Sequence, residues 1–66
     1  MKVTVNGAER EIAPASSLAD VLTALGMPER GIAVARNDAV VRRGEFAQTL
    51  LREGDRIEII QAVAGG

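Results

Sequence analysis

Met1-Lys2-Val3-Thr4-Val5-Asn6-Gly7-Ala8-Glu9-Arg10-Glu11-Ile12 opens the chain and decides its class. Met1 to Val5 alternates apolar and polar residues, the period of a strand with one buried face. Asn6-Gly7 follows, and this pair suits a type I′ hairpin turn, which needs positive φ at both central positions. Glu9 to Ile12 then reads as the returning strand. A β-hairpin therefore starts the fold, and Pro14 ends it.

Working outward, Ser17-Leu18-Ala19-Asp20 reads as a capping box with Asp in place of Glu or Gln. Leu18, Val21, Leu22 and Leu25 stand at i, i+3, i+4 and i+7 and make one helical stripe. Gly26 suits the residue after the helix, and Pro28 forbids continuation. The spacing predicts a helix from about Ser17 to Leu25. Ile32 to Arg36 reads as a third strand, Asn37-Asp38 as a tight turn and Ala39 to Val41 as a short fourth strand. Residues 42–51 lack a clean period and read as a loop with one helical turn. Arg52-Glu53-Gly54-Asp55 reads as a turn, and Arg56 to Gln61 alternates again as the last strand.

The order is ββαβ(β)β: α+β, with a mixed sheet of four or five strands and one main helix to cover it. Met1, Val3, Val5, Ile12, Val34, Ile57 and Ile59 can supply the buried sheet face. The best-known arrangement of these parts is the β-grasp, with first and last strands adjacent in mid-sheet. The long route between them permits parallel pairing, which a tight turn cannot make. Residues 1–61 form a single domain on this reading, and 62–66 a flexible tail.

Composition narrows the function. The chain has 66 residues, no cysteine and no histidine. It therefore lacks thiolate zinc ligands, disulfides and the usual general base. Phe46 is the single aromatic, so a base-stacking platform is excluded. Eight basic and nine acidic side chains give 8 − 9 = −1. No basic block appears, which argues against nucleic acid binding. No apolar run suits a bilayer and no secretory leader is legible, so the expectation is a cytoplasmic protein. A hydrophobic content of 47% argues against disorder.

The hydroxyls Thr4, Ser16, Ser17, Thr23 and Thr49 have no histidine to activate them, and Ser16 and Ser17 serve better as helix caps. Lys2 reads as a solvated surface amine. Glu9 and Glu11 share one strand face, which fits the solvated side of an edge hairpin better than an acid–base pair. Glu53 and Asp55 lack calcium-loop spacing. No metal site and no bound cofactor is expected, and the chain reads as a carrier or module rather than an enzyme.

The ending carries the remaining signal. Ala62-Val63-Ala64-Gly65-Gly66 has no polar side chain. One reading is a frayed terminus. The other is chemical: two glycines let backbone enter a channel that a side chain would block. The Gly66 carboxylate could then attack the α-phosphate of ATP in a partner enzyme. Ile60 alternates away from Ile57 and Ile59. It either joins Ala33 and Ala35 in an exposed apolar partner surface or lies buried beneath the tail or a loop.

The whole chain resembles the ThiS family of sulfur carriers in thiamine biosynthesis. The resemblance rests on Val5-Asn6-Gly7, Leu18-Ala19-Asp20-Val21-Leu22 with Leu25-Gly26, and Ile32-Ala33-Val34-Ala35 with Asn37. It continues through Val40-Val41, Arg43, Glu45-Phe46, Glu53-Gly54-Asp55-Arg56-Ile57-Glu58-Ile59-Ile60, Ala62-Val63 and Gly65-Gly66. It implies a ubiquitin-like β-grasp related to the small subunit of molybdopterin synthase (MoaD). It also implies that an E1-like adenylating enzyme (ThiF) adenylates Gly66 with ATP and magnesium. A cysteine desulfurase or other donor then supplies sulfur for a Gly66 thiocarboxylate, and thiazole synthase (ThiG) takes that sulfur into the thiazole ring. Ala62, Val63, Ala64 and Gly65 would be the tail that enters the partner's channel. Ala64 departs from the frequent third glycine, Phe46 stands where tryptophan is common, and Asn37-Asp38 replaces a frequent Asn-Gly. A carrier of the molybdopterin-synthase type or another sulfur carrier, and a non-catalytic ubiquitin-like interaction domain, are the alternatives.

Overall fold

The computed structural model describes residues 1–61. Five strands, β1 (Lys2–Val5), β2 (Ala8–Glu11), β3 (Ile32–Arg36), β4 (Ala39–Val41) and β5 (Arg56–Gln61), form one sheet in the order β2-β1-β5-β3-β4. One helix, α1 (Leu18–Ala24), and a 3₁₀ helix, Arg43–Gln48, cover one face. The central pair β1 and β5 is parallel, with Thr4 opposite Arg56 and Val5 opposite Ile57. The two outer pairings, β1 with β2 and β3 with β4, are antiparallel hairpins, and β3 pairs antiparallel with β5.

Asn6 and Gly7 have φ of 50° and 84°, the positive pair that a type I′ turn requires. Pairing resumes at Ala8, opposite Val5, one residue earlier than the expected return at Glu9. The turn needs only two residues, so Ala8 joins the ladder. The Ile12 N–H still donates to the Met1 carbonyl at 2.8 Å, just past the strand end.

Ser17 caps α1 as its sequence suggests. The Asp20 N–H donates to Ser17 Oγ at 3.1 Å, and the Ser17 N–H donates to Asp20 Oδ2 at 2.9 Å. The helix closes with the two bonds of a Schellman motif: Met27 N–H to the Leu22 carbonyl and Gly26 N–H to that of Thr23. Gly26 holds φ +70°. Leu18, Val21 and Leu22 are buried, and Leu25 packs at the margin of the core.

The inward side chains of the central strands meet this stripe: Val3, Val5, Val34, Ile57 and Ile59 are all buried. Met1 and Ile12 are partly buried against them. The aperiodic stretch 42–51 resolves into the six-residue 3₁₀ helix, which carries Phe46 into the core at 1% exposure. Its return is stitched to α1: the Leu18 N–H donates to the Thr49 carbonyl and the Leu51 N–H to that of Ser16. The turn Arg52–Asp55 pins the start of β1. Gly54 donates to the Lys2 carbonyl at 2.8 Å and the Lys2 N–H to Glu53 Oε1 at 3.0 Å. Glu53 and Asp55 thus act in the turn, Asp55 accepting from the Arg52 N–H at 2.9 Å.

Candidate functional site

β5 is the strand that leads to the chain's last residues. Its pleat sends Ile57 and Ile59 into the core and Arg56, Glu58 and Ile60 to the opposite, open face. Ile60 is 68% exposed there, so no loop among the described residues buries it. Register brings Ala33 opposite Ile60, and Ala35 opposite both Glu58 and Val40. The result is a shallow hollow of about 130 Å³. The two alanines form its floor, and Ile60 and Val40 stand as walls.

The grouping of Ile60 with Ala33 and Ala35 is one of the two alternatives the sequence leaves open, and the sheet brings the three together on its open face. Val40 was missed, although its exposure of 78% makes it the more prominent wall. The pleat turns Val40 outward because its neighbour Val41 is partly buried, and only the β3–β4 register sets it beside Ala35. Across the sheet the open face becomes polar through Arg56, Glu58, Thr4 and Lys2. Arg56 pairs with Asp38 across the turn, and that carboxylate raises the guanidinium pKa further above its ordinary value.

Two asparagines that the sequence marks only as turn residues also hold β5. Asn6 accepts from the Ile59 N–H at 2.8 Å through Oδ1 and donates to the Ile59 carbonyl at 3.2 Å through Nδ2. Asn37 accepts from the Arg56 N–H at 2.8 Å and donates to Asp55 Oδ1 at 3.0 Å. One grips the exit end of β5, the other its entrance.

The larger groove elsewhere, bordered by Arg36, Asn37, Thr49, Leu50 and Arg52, is polar. Arg36 is engaged within it, donating to the Leu50 carbonyl at 3.1 Å and lying 3.8 Å from Asp55. Among the described residues, no cluster of three acidic side chains could hold a metal ion. None of their helices is long and apolar enough to cross a membrane. Gly66, Gly65, Ala64, Val63 and Ala62, the positions expected to carry the chemistry, lie outside the described residues.

The family model of the ThiS family matches residues 3–66. The chain belongs to the ThiS family. Along its full length it is 30% identical to the sulfur carrier protein ThiS of Escherichia coli, which it covers completely. It is also 35% identical over 66 residues to a thiazole synthase of Paramagnetospirillum magneticum and 36% to one of Magnetococcus marinus. The chain spans only 20% of the length of each of these synthases. The crystal structure of the thiamine biosynthesis protein ThiS from Geobacter metallireducens superposes with a TM-score of 0.85 at 29% identity, covering both chains fully. The solution structure of a thiamine biosynthesis protein from the same organism gives 0.80, with 88% of that chain covered. The fold is therefore the ubiquitin-like β-grasp that ThiS proteins share.

Proposed function

We propose that this ThiS-family chain carries sulfur on Gly66 for assembly of the thiazole ring of thiamine, and that its catalysis is performed by partner enzymes. The observation that carries the reading is the family match through residue 66, together with end-to-end alignment to a sulfur carrier. The residue inventory agrees, since no histidine or cysteine is present to run chemistry in place.

The cycle needs two displacements. A carboxylate oxygen of Gly66 attacks the α-phosphorus of ATP in an E1-like adenylating enzyme (ThiF), with magnesium balancing the phosphate charge. Pyrophosphate leaves, and an acyl-adenylate forms. Sulfide attacks the acyl carbon directly; where a cysteine desulfurase is the donor, its persulfide sulfur attacks instead and a thiol reductant then cleaves the resulting acyl disulfide. AMP leaves, and the thiocarboxylate remains. Thiazole synthase (ThiG) is the acceptor in this reading. Two thiazole synthases containing a segment similar to the whole chain support that pairing. Residues 62–66 are the segment that enters the partner's channel, where glycines at 65 and 66 keep the backbone narrow. The hollow of Ile60, Ala33, Ala35 and Val40 is the docking surface, an apolar patch rimmed by charge.

The test is the mass of the tryptic peptide Ile57 to Gly66 after incubation with the adenylating enzyme, ATP, magnesium and sulfide. Oxygen-for-sulfur exchange nearly matches methionine oxidation in mass, but Met1 and Met27 both lie outside this peptide. The expected shift localises to Gly66. An unshifted peptide, with a control carrier converted in the same mixture, overturns the proposal.

A further inference from the structure

The two asparagine clamps are chemically alike and placed at opposite ends of one strand. Asn6 and Asn37 each occupy the first position of a hairpin turn, each at φ 50°. Each backbone N–H donates to β5, Asn6 to the Ile57 carbonyl at 2.9 Å and Asn37 to that of Arg56 at 2.8 Å. Beyond that point their duties diverge.

Backbone pairing of β1 with β5 stops at Val5 opposite Ile57. The chain turns away at Asn6, and two residues further along β5 the Ile59 N–H and carbonyl would face empty edge. The Asn6 carboxamide fills that place. It presents one acceptor and one donor, as a peptide unit would, and so adds one further rung to the parallel ladder. Ile59 is also the last buried residue of β5 among those described. Among the described residues, Asn6 is therefore the final fastening on this side of the strand.

We infer that Asn6 is a positioning residue for chemistry at Gly66: its carboxamide fixes the root from which the terminal segment reaches a partner's active site. The inference rests on the sulfur-carrier reading above. Gly66 lies seven residues beyond Ile59, the first two of them still paired with β3, and an extended run of that length spans roughly 23–25 Å. A swing of about 10° at the root of such a lever moves its end by about 4 Å, while displacements near 1 Å can cost on the order of a hundredfold in rate. A segment drawn straight into a channel has little slack to absorb that swing. The hollow itself keeps its backbone support, because Ile60 pairs with Ala33 and Val40 with Ala35 on the β3 side of β5, opposite the edge that Asn6 fastens.

The twin supplies the control. Asn6→Gly and Asn37→Gly both keep the positive φ without strain and both delete a clamp on β5. Thiocarboxylate formation is followed on the full chain with the adenylating enzyme, ATP, magnesium and sulfide, alongside amide exchange and urea unfolding. Asn6→Gly is expected to lose protection at the Ile59 amide. Its kcat should fall on the order of tenfold or more, with KM within about twofold of wild type. Asn37→Gly is expected to lose stability but keep kcat. Asn6→Asp keeps an acceptor for the Ile59 N–H and loses the donor, so it should fall between, and it serves if Asn6→Gly does not fold. Equal kcat losses in the two glycine variants, or an unchanged kcat or Ile59 protection in Asn6→Gly, overturn the inference alone. Failure of wild type to be converted, while a control carrier is, overturns the sulfur-carrier reading itself and this inference with it.

Discussion

The two faces of the sheet use the same residue types for different ends. On the covered face, Ile57 is fully buried and Ile59 nearly so, beneath Leu18, Leu22 and Phe46. On the open face, one residue further along β5, Ile60 is 68% exposed beside Val40 at 78%. An isoleucine at position 60 contributes little to the core, so stability alone does not account for it. The comparison teaches that in a β-grasp this small, the helix spends the whole apolar capacity of one face. Apolar side chains on the other face are then available for contact with other molecules.

The sharpest way to break this contrast is to truncate both isoleucines. Ile57→Ala should destabilise the fold by about 2–5 kcal/mol in urea unfolding, from lost transfer energy and the cavity left behind. For a domain of this size that approaches the whole stability. Ile60→Ala should leave the unfolding midpoint near wild type. A comparable loss at both positions would show that the open face is part of the core.

Binding should reverse the order. Ile60→Lys should keep the wild-type fold by circular dichroism. It should weaken calorimetric affinity for the adenylating enzyme by about tenfold or more, as expected when a central apolar anchor is replaced by a charge. Unchanged affinity would move the docking surface away from the hollow.

The covered face also depends on how firmly its lid is anchored. Ser17→Ala removes one half of the capping box and should cost about 1 kcal/mol. Just upstream, Ala15 holds φ +65° in the turn after Pro14, a conformation that favours glycine. Ala15→Gly should raise stability by about 0.5–1 kcal/mol, an increment visible as a higher unfolding midpoint.

The smallest effect belongs to the open, solvated edge. Glu11 accepts an ion pair from the Met1 ammonium at 2.8 Å, which holds its carboxyl below the usual range. A lowered folded pKa contributes stability above the unfolded pKa and loses it as pH falls through the folded value. Glu11→Gln should therefore leave almost no trace at neutral pH, because the pair is exposed. Any residual difference from wild type should vanish once the pH drops below the folded pKa of Glu11. A pH titration of unfolding for both chains checks this.

Much of this architecture is legible in residue order. Asn6-Gly7, the Ser17/Asp20 box and the Leu18-Val21-Leu22 stripe are local signals, and the structure obeys them to within a residue or so. The stretch 42–51 was not legible in the same way. A 3₁₀ helix has poor hydrogen-bond geometry and little periodic signature, so Phe46 finds its place only because the core has a vacancy of its size. Of the candidate site, Ile60, Ala33 and Ala35 followed from alternation, whereas Val40 needed the β3–β4 register. The asparagine clamps could not be read at all. A side-chain amide three-dimensionally opposite a strand 53 residues later leaves no local pattern.

The residue order by itself determined which segments become strands and helix, which faces turn inward, and that no histidine or cysteine supplies chemistry here. Those properties depend on neighbours within a turn or a pleat. Tertiary structure alone decided that Asn6 would continue the parallel ladder onto Ile59, that Phe46 would seal the core, and that Val40 would stand beside Ile60. Each joins segments distant in the chain, and their meeting is set by sheet register and packing rather than by any local preference.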